Sequence, residues 1–369
     1  MKQKLLLSLF ALLTATTAWA DVEINATNFP DENFRAWVLS QEYGADGVLT
    51  DDEIAGVTRI VVNIKKIQSL KGIEFFTELT WLDCVYNQLT DINVSQLTKL
   101  THLDCSWNQL VFLDISKNTS LTELDCSGNL LTALNVSKNT AMTNMSCSEN
   151  QLLELDLSKN TILNELSCDN NQLTSLDVSK NTALTRLACI GNQLTALNVS
   201  KNAALKRLVC SNNQLASLNV SGCIALESFR CSGNRLAELD VSGCIALEEL
   251  ICMSNQIKGE AMDALVESLP DTGLGGFMGV INHEDEQNMM TKVQVAAAKA
   301  KGWYVRYNDS NNQWRSYEGS DDPTGINDAV RLNDKGKMTN DQWYDLQGRQ
   351  LPGKPARGIY IEGGKKVMK

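Results

Sequence analysis

A cysteine recurs every 21 residues nine times in succession, at Cys84, Cys105, Cys126, Cys147, Cys168, Cys189, Cys210, Cys231 and Cys252, and an asparagine follows each one three positions later. A strict period of this length marks stacked copies of one supersecondary unit, because a single copy cannot bury its own apolar face. The chain is therefore expected to form a solenoid in which equivalent positions line up as columns. A column that never varies is held by the stack, and a column that varies is free for other use.

One unit, residues 121–141, reads LxxLxCxxNxL followed by xxLxVxxN, so it consists of two similar halves. In the first half Leu124 and Cys126 alternate with Glu123, Asp125 and Ser127, the period-two pattern of a strand with one buried face. The asparagine column, Asn87, Asn108, Asn129, Asn150, Asn171, Asn192, Asn213, Asn234 and Asn255, is expected to bond the backbone groups freed where each strand turns. The second half places Leu134 and Val136 inward, and a second asparagine column runs through Asn118, Asn139, Asn160, Asn181 and Asn202. In the next two repeats Cys223 and Cys244 take that slot.

Over residues 57–257 this pattern resembles bacterial leucine-rich repeats of the nested 21-residue type, and among them the cysteine-ladder repeats of the internalin J kind. Residues 70–79 also resemble an internalin-type first repeat. The resemblance implies a leucine-rich-repeat solenoid, an α/β, β-rich right-handed superhelix with a parallel concave sheet and an extended or turn-like convex side. It further implies a surface protein used in attachment, although such likeness informs on fold far better than on ligand.

Both ends depart from the period. Residues 1–20 place Lys2 and Lys4 before an apolar run and end in Ala18, Trp19 and Ala20, the order of a secretory signal peptide. Residues 21–56 are expected to form a helical cap. Within it, Asp46, Gly47 and Glu53 match three positions of an EF-hand calcium loop, but Glu42 and Gly44 break the pattern. A capping box between Thr50 and Glu53 explains the same residues without an ion. The repeats are assigned to residues 57–258 and a small α/β cap to 259–319, with helices at 259–269 and 288–301 and strands at 275–281 and 303–307. Residues 320–330 read as a linker from their turn-forming content. Residues 331–369 resemble the carboxy-terminal sorting segments of proteins exported across a Gram-negative outer membrane.

Export normally favours disulfides, but in-register strands lie about 4.8 Å apart with parallel side chains, so ladder sulfurs do not converge into bonded geometry. The cysteines are expected to be buried thiols, with pairing of Cys223 and Cys244 left open. A line of thiols cannot place four ligands tetrahedrally, and neither metal nor cofactor is expected. The net charge of −11 argues against nucleic acid or anionic membrane as a partner. No later stretch reaches the length of a spanning helix. The product is read as secreted or surface-exposed, and monomeric.

Function is sought in the outward strand positions. The early repeats gather Trp81, Asp83, Tyr86, His102, Asp104, Trp107, Glu123 and Asp125, and the later ones Arg186, Arg207 and Arg230. Aromatic rings flanked by carboxylates on a rigid sheet suit a protein or carbohydrate ligand. The competing reading is a spacer that displays other material. Catalysis is not expected: His102 beside the aspartates is the one acid/base arrangement, and no nucleophile signature or phosphate loop accompanies it.

Overall fold

The structure, a computed structural model, describes residues 21–273, 275–282 and 286–321, together with the backbone of the short strands Trp343–Tyr344, Gln350–Leu351, Ile359–Glu362 and Lys365–Met368. The signal-peptide residues, His283 and most of the expected linker and sorting segment lie outside the described residues.

Each repeat contributes a three-residue strand, and the strands stack in chain order into a 13-stranded sheet running from Arg59–Val61 to Trp314–Ser316. Every pairing in it is parallel except the last, and the register is residue-for-residue through the repeats, as in Trp81, His102 and Glu123. All nine ladder cysteines are fully buried, and the inward strand residue two positions before each is leucine except at Met145 and Phe229. Burial drives every one of their thiol pKa values up, to about 12 at Cys147 and Cys210. All eleven thiols are free, including Cys223 and Cys244.

The first asparagine column does what its position requires. The Nδ2 of Asn150 donates to the carbonyls of Cys126, Cys147 and Ser148 at 3.0, 3.1 and 3.2 Å, and its Oδ1 accepts from the Leu131 N–H at 3.0 Å. One side chain thereby satisfies backbone groups on two successive rungs. The ladder extends one member beyond the period: Asn288 donates to the Cys252 and Val280 carbonyls and accepts from the Ile257 N–H. The second column is less complete. Asn160 donates to the Val136 and Asn139 carbonyls, but its Oδ1, like those of Asn118, Asn139, Asn181 and Asn202, has no protein donor. A thiol therefore substitutes there easily, and Cys223 Sγ lies 3.2 Å from the Val199 carbonyl.

The convex wall is mostly turns, with two short paired strands at Ala196–Asn198 and Ser217–Asn219. Its turns are closed by Asp or Asn side chains accepting from the N–H two residues on, such as Asp114 to Ser116 at 2.9 Å.

At the amino end, helix α1 (Glu32–Leu39) is capped by Asp31, whose Oδ1 accepts from Phe34 N while Oδ2 accepts from Gln68 N and Ser69 N. One carboxylate thus joins the cap to the first repeat. Phe29 and Phe34 are buried in the same seam, and Gly72, with φ of 105°, leaves room for Phe29: a Cβ there would lie 2.4 Å from its ring. Helix α2 (Asp51–Gly56) starts with the expected Thr50–Glu53 capping box.

At the other end, helix α3 (Glu260–Ser268), strand Gly276–Asn282, helix α4 (Lys292–Ala300) and strand Trp303–Asn308 continue the parallel sheet. Helix α4 begins four residues later than the sequence pattern implies. Asn288 is committed to the ladder, and Thr291 supplies the cap in a box with Gln294.

Candidate functional site

The outward-facing strand positions form two columns. One runs Arg59, Trp81, His102, Glu123, Asn144, Glu165, Arg186, Arg207, Ser228, Glu249; the other runs Val61, Asp83, Asp104, Asp125, Ser146, Ser167, Ala188, Val209, Arg230, Ile251. Parallel in-register pairing puts each residue beside its column neighbours, so the chemistry of the face is read along these lines.

The first rungs are tightly interlocked. Trp81 is stacked on His102 with ring centroids 3.5 Å apart, and the Arg59 guanidinium lies 4.1 Å from the centre of the same indole. These neighbours come from the strands on either side, so both faces of Trp81 are covered. Its Nε1 donates to Asp83 at 2.8 Å. His102 is held at both nitrogens, Nε2 facing Asp83 at 3.0 Å and Nδ1 facing Glu123 at 2.9 Å. Trp81 and His102 were read from sequence as presented aromatics; the structure places them in a packed column in which both faces of Trp81 are covered and every ring nitrogen is engaged.

Tyr86 and Trp107 are different. They lie parallel, 5.2 Å apart with planes 1° from each other, and are 54% and 41% exposed. Both occupy the left-handed turn that follows each strand, with φ of 54° and 55°. Later rungs fill this position with Gly128, Glu149, Asn170, Gly191, Asn212, Gly233 and Ser254. Bulky aromatic residues are disfavoured there, so the fold itself does not select them. Gly128 is what lets Trp107 lie flat, since a Cβ would come within 2.8 Å of the indole.

The acidic row and the basic row also separate. Asp104 accepts from Ser106 N and Oγ at 3.0 and 2.6 Å, and Asp125 accepts from Ser127 N at 2.9 Å. Burial pushes the Asp104 carboxyl above its usual range, the bonds from Ser106 oppose this, and the Asp125 and Asp83 carboxylates push it further up. Of the three arginines, Arg230 is bidentate with Glu249 at 2.8 and 3.2 Å and Arg186 lies 3.9 Å from Glu165. Burial raises the Glu249 carboxyl, but the bonds from Arg230 and Ser228 outweigh it and bring it down. Among the described residues, Arg207, Asp104 and Asp125 enter no ion pair.

Small residues hollow the middle of the face. Ser167, Ala188 and Val209, with Glu165, Arg186 and Arg207, line a shallow recess of about 60 Å³. A roomier recess of about 410 Å³ lies under the amino-terminal cap between Tyr43, Glu53 and Arg59, at the head of the first column. The face is the candidate site, because Asp104, Asp125 and Arg207 enter no ion pair there among the described residues; in the cap recess Glu53 is bound to Thr50 and Arg59 to Asp83, which leaves Glu42 as its one charge without an ion pair or side-chain bond.

Sequence reading missed several participants. Phe277 and Trp314 meet edge-on, 5.0 Å apart, at the far end of the sheet. Glu286 accepts from the N–H groups of Ser254, Asn282 and Asn288 and seals the last rung. Both lie beyond the period, where column logic gives no signal.

No known protein-family model matches the chain. Internalin J of Listeria monocytogenes is 40% identical over 69 residues, 18% of this chain but only 8% of that protein's length. The solved functional domain of InlJ from Listeria monocytogenes, which includes a cysteine ladder, superposes with a TM-score of 0.60 at 29% identity, covering 80% of this chain and 70% of that one. A leucine-rich repeat protein of Leptospira interrogans has the same fold with a TM-score of 0.60 at 22% identity, over 71% of this chain and 69% of its own. No described helix is long and apolar enough to cross a membrane. With buried thiols at every rung and these relatives alongside, the chain is a leucine-rich-repeat solenoid of the cysteine-ladder type, similar to internalin J.

Proposed function

We propose that the protein is exported and that its concave face recognises a protein or carbohydrate ligand outside the cell, as an adhesion protein does. The observation that carries this reading is the separation of unneutralised charge along the sheet. Among the described residues Asp104, Asp125 and Arg207 enter no ion pair, and Arg207 acts on the Glu249 carboxylate only from a distance. Four rungs separate Asp125 from Arg207, about 19 Å at the spacing of strands. Adjacent like charges on neighbouring strands destabilise a sheet, so the row of aspartates works against the fold and suits a cation brought by a ligand. Tyr86 and Trp107 border the acidic end and add apolar contact.

The reading calls for binding, with no chemical step. His102 has both nitrogens engaged, and among the described residues no cluster of His, Cys, Asp and Glu is arranged to hold a metal. The test is an array of glycans and purified extracellular proteins, probed with the protein and with an Asp104→Asn, Asp125→Asn, Arg207→Ala variant. Binding at least tenfold weaker in the variant, with an undiminished melting temperature, supports the concave face. Equal binding by both proteins contradicts it, and no binding by either favours a display scaffold.

A further inference from the structure

The flank that descends from the sheet carries a second feature, distinct from the concave columns. Six residues of each repeat build the turn and this flank: residues 86–91, 107–112, 128–133 and 149–154 in the first four rungs. Their columns are polar or small through most of the solenoid. Gln88, Gln109, Gln151, Gln172, Gln193 and Gln214 share one column, and Leu130 interrupts it. Val111 and Leu153 interrupt a column of Thr90, Thr132, Thr174 and Thr195, and Phe112 one of Asp91, Ala133, Ser175 and Ala196.

All four substitutions are solvent-facing: Val111 61%, Phe112 68%, Leu130 44% and Leu153 60% exposed. They are also grouped. The Leu130 N–H bonds the Leu110 carbonyl, which places Leu130 directly over the peptide leading into Val111. The windows 170–175, 191–196 and 212–217 fold the same way and contain neither an exposed large apolar residue nor a charge. The fold therefore does not require an apolar flank, and the repeats supply their own control. With Tyr86 and Trp107 on the adjoining turn, the departures make one exposed apolar patch across four rungs.

We infer that this flank is a docking surface for a partner protein whose contact patch is apolar and rimmed by lysine or arginine. Charge decides among occupants. The four windows contain Asp91, Glu149 and Glu154 and no Lys or Arg, and the cations nearest in the stack, Lys65 and Lys66, stand on the preceding turn beside Tyr86, two to four rungs from Val111, Leu130 and Leu153. A second copy of the chain would set these carboxylates against themselves, and an anionic lipid surface would be repelled. A glycan would find aliphatic side chains with no hydrogen-bonding groups where Val111, Leu130 and Leu153 stand. A cation-rimmed protein surface meets both the apolar centre and the acidic border, and central apolar anchors carry most of the affinity of such contacts.

The probes are two synthetic amphipathic helical peptides that share one Leu and Trp face, flanked by Lys in the first and by Glu in the second. Anisotropy titrations use the whole chain, a Val111→Thr, Phe112→Ser, Leu130→Gln, Leu153→Thr variant built from the residues of the same columns, and an Ile224→Thr, Ile245→Thr control. The control removes two exposed apolar residues that lie outside the four windows. The expected result is at least tenfold weaker binding of the Lys peptide by the flank variant, no change in the control, and at least tenfold weaker binding of the Glu peptide to the parent. Equal affinity for both peptides, an unaffected flank variant, or no binding of the Lys peptide overturns the proposal. Sedimentation showing a parent dimer that the flank variant abolishes also overturns it, in favour of a second copy. Because no concave residue is altered, this outcome is independent of the one above.

Discussion

The indole of Trp81 lies against the imidazole of His102 at 3.5 Å between centroids and 10° between planes. This stack, clamped by Asp83 and Glu123, turns the first rungs of an otherwise variable face into a structural unit. His102→Ala removes the stack and leaves Asp83 with one fewer donor. A loss of about 1–2 kcal/mol in urea unfolding is expected. An unchanged midpoint would mean that the rings carry no stability.

The two asparagine columns should differ in sensitivity. Asn150→Ala orphans the Leu131 N–H and carbonyls on neighbouring rungs, for a loss of about 3 kcal/mol or more. Asn160→Ala loses two bonds but also removes an Oδ1 that has no protein donor, and should lose about half as much. Asn160→Cys, which copies Cys223, should be milder still. Comparable losses at the two sites would contradict the hydrogen-bond account.

The eleven thiols should be chemically silent in the native protein. Burial holds their pKa values far above neutrality, so thiolate is scarce and the sulfurs are inaccessible. Titration with a thiol reagent at pH 8 should show no rapid reaction in buffer and eleven equivalents in denaturant without reductant. Fewer than eleven would reveal a disulfide.

Asp104 gives a pH signature. Its folded pKa is raised, so the carboxylate is disfavoured by the fold: the penalty is absent below the unfolded pKa and fully present once pH exceeds the raised folded value. Asp104→Asn keeps an acceptor for Ser106 and removes the charge. It should raise stability at pH 7 by under about 1 kcal/mol, and the gain should vanish as pH falls through the carboxylate range. A gain that persists in acid would mean the effect is not electrostatic.

The buried half of this molecule was legible because a column repeats its instruction nine times: Cys126 and Asn129 are interpretable once Cys105 and Asn108 are seen. The face carries no such redundancy. The sequence named Trp81 and Trp107 as equals, yet one is sandwiched between Arg59 and His102 while the other is exposed on a left-handed turn. That difference depends on which rung neighbours flank each ring. Asn288 and Glu286 escaped because the stack continues after the period ends. Val111, Phe112, Leu130 and Leu153 stand out in the sequence as breaks in their columns, but their exposure needed the fold.

The central claim is that buried columns hold the fold while the neighbouring concave positions outside the Trp81–His102 unit are free to bind. Asp125 and Cys126 are adjacent in sequence and lie on opposite sides of the sheet. The most direct measurement pairs melting temperature with array binding for Asp125→Lys. The account predicts a melting temperature equal to or above the parent's, since the new cation sits beside Asp104, together with loss of ligand binding; retained binding by the folded variant, or its unfolding, would contradict it.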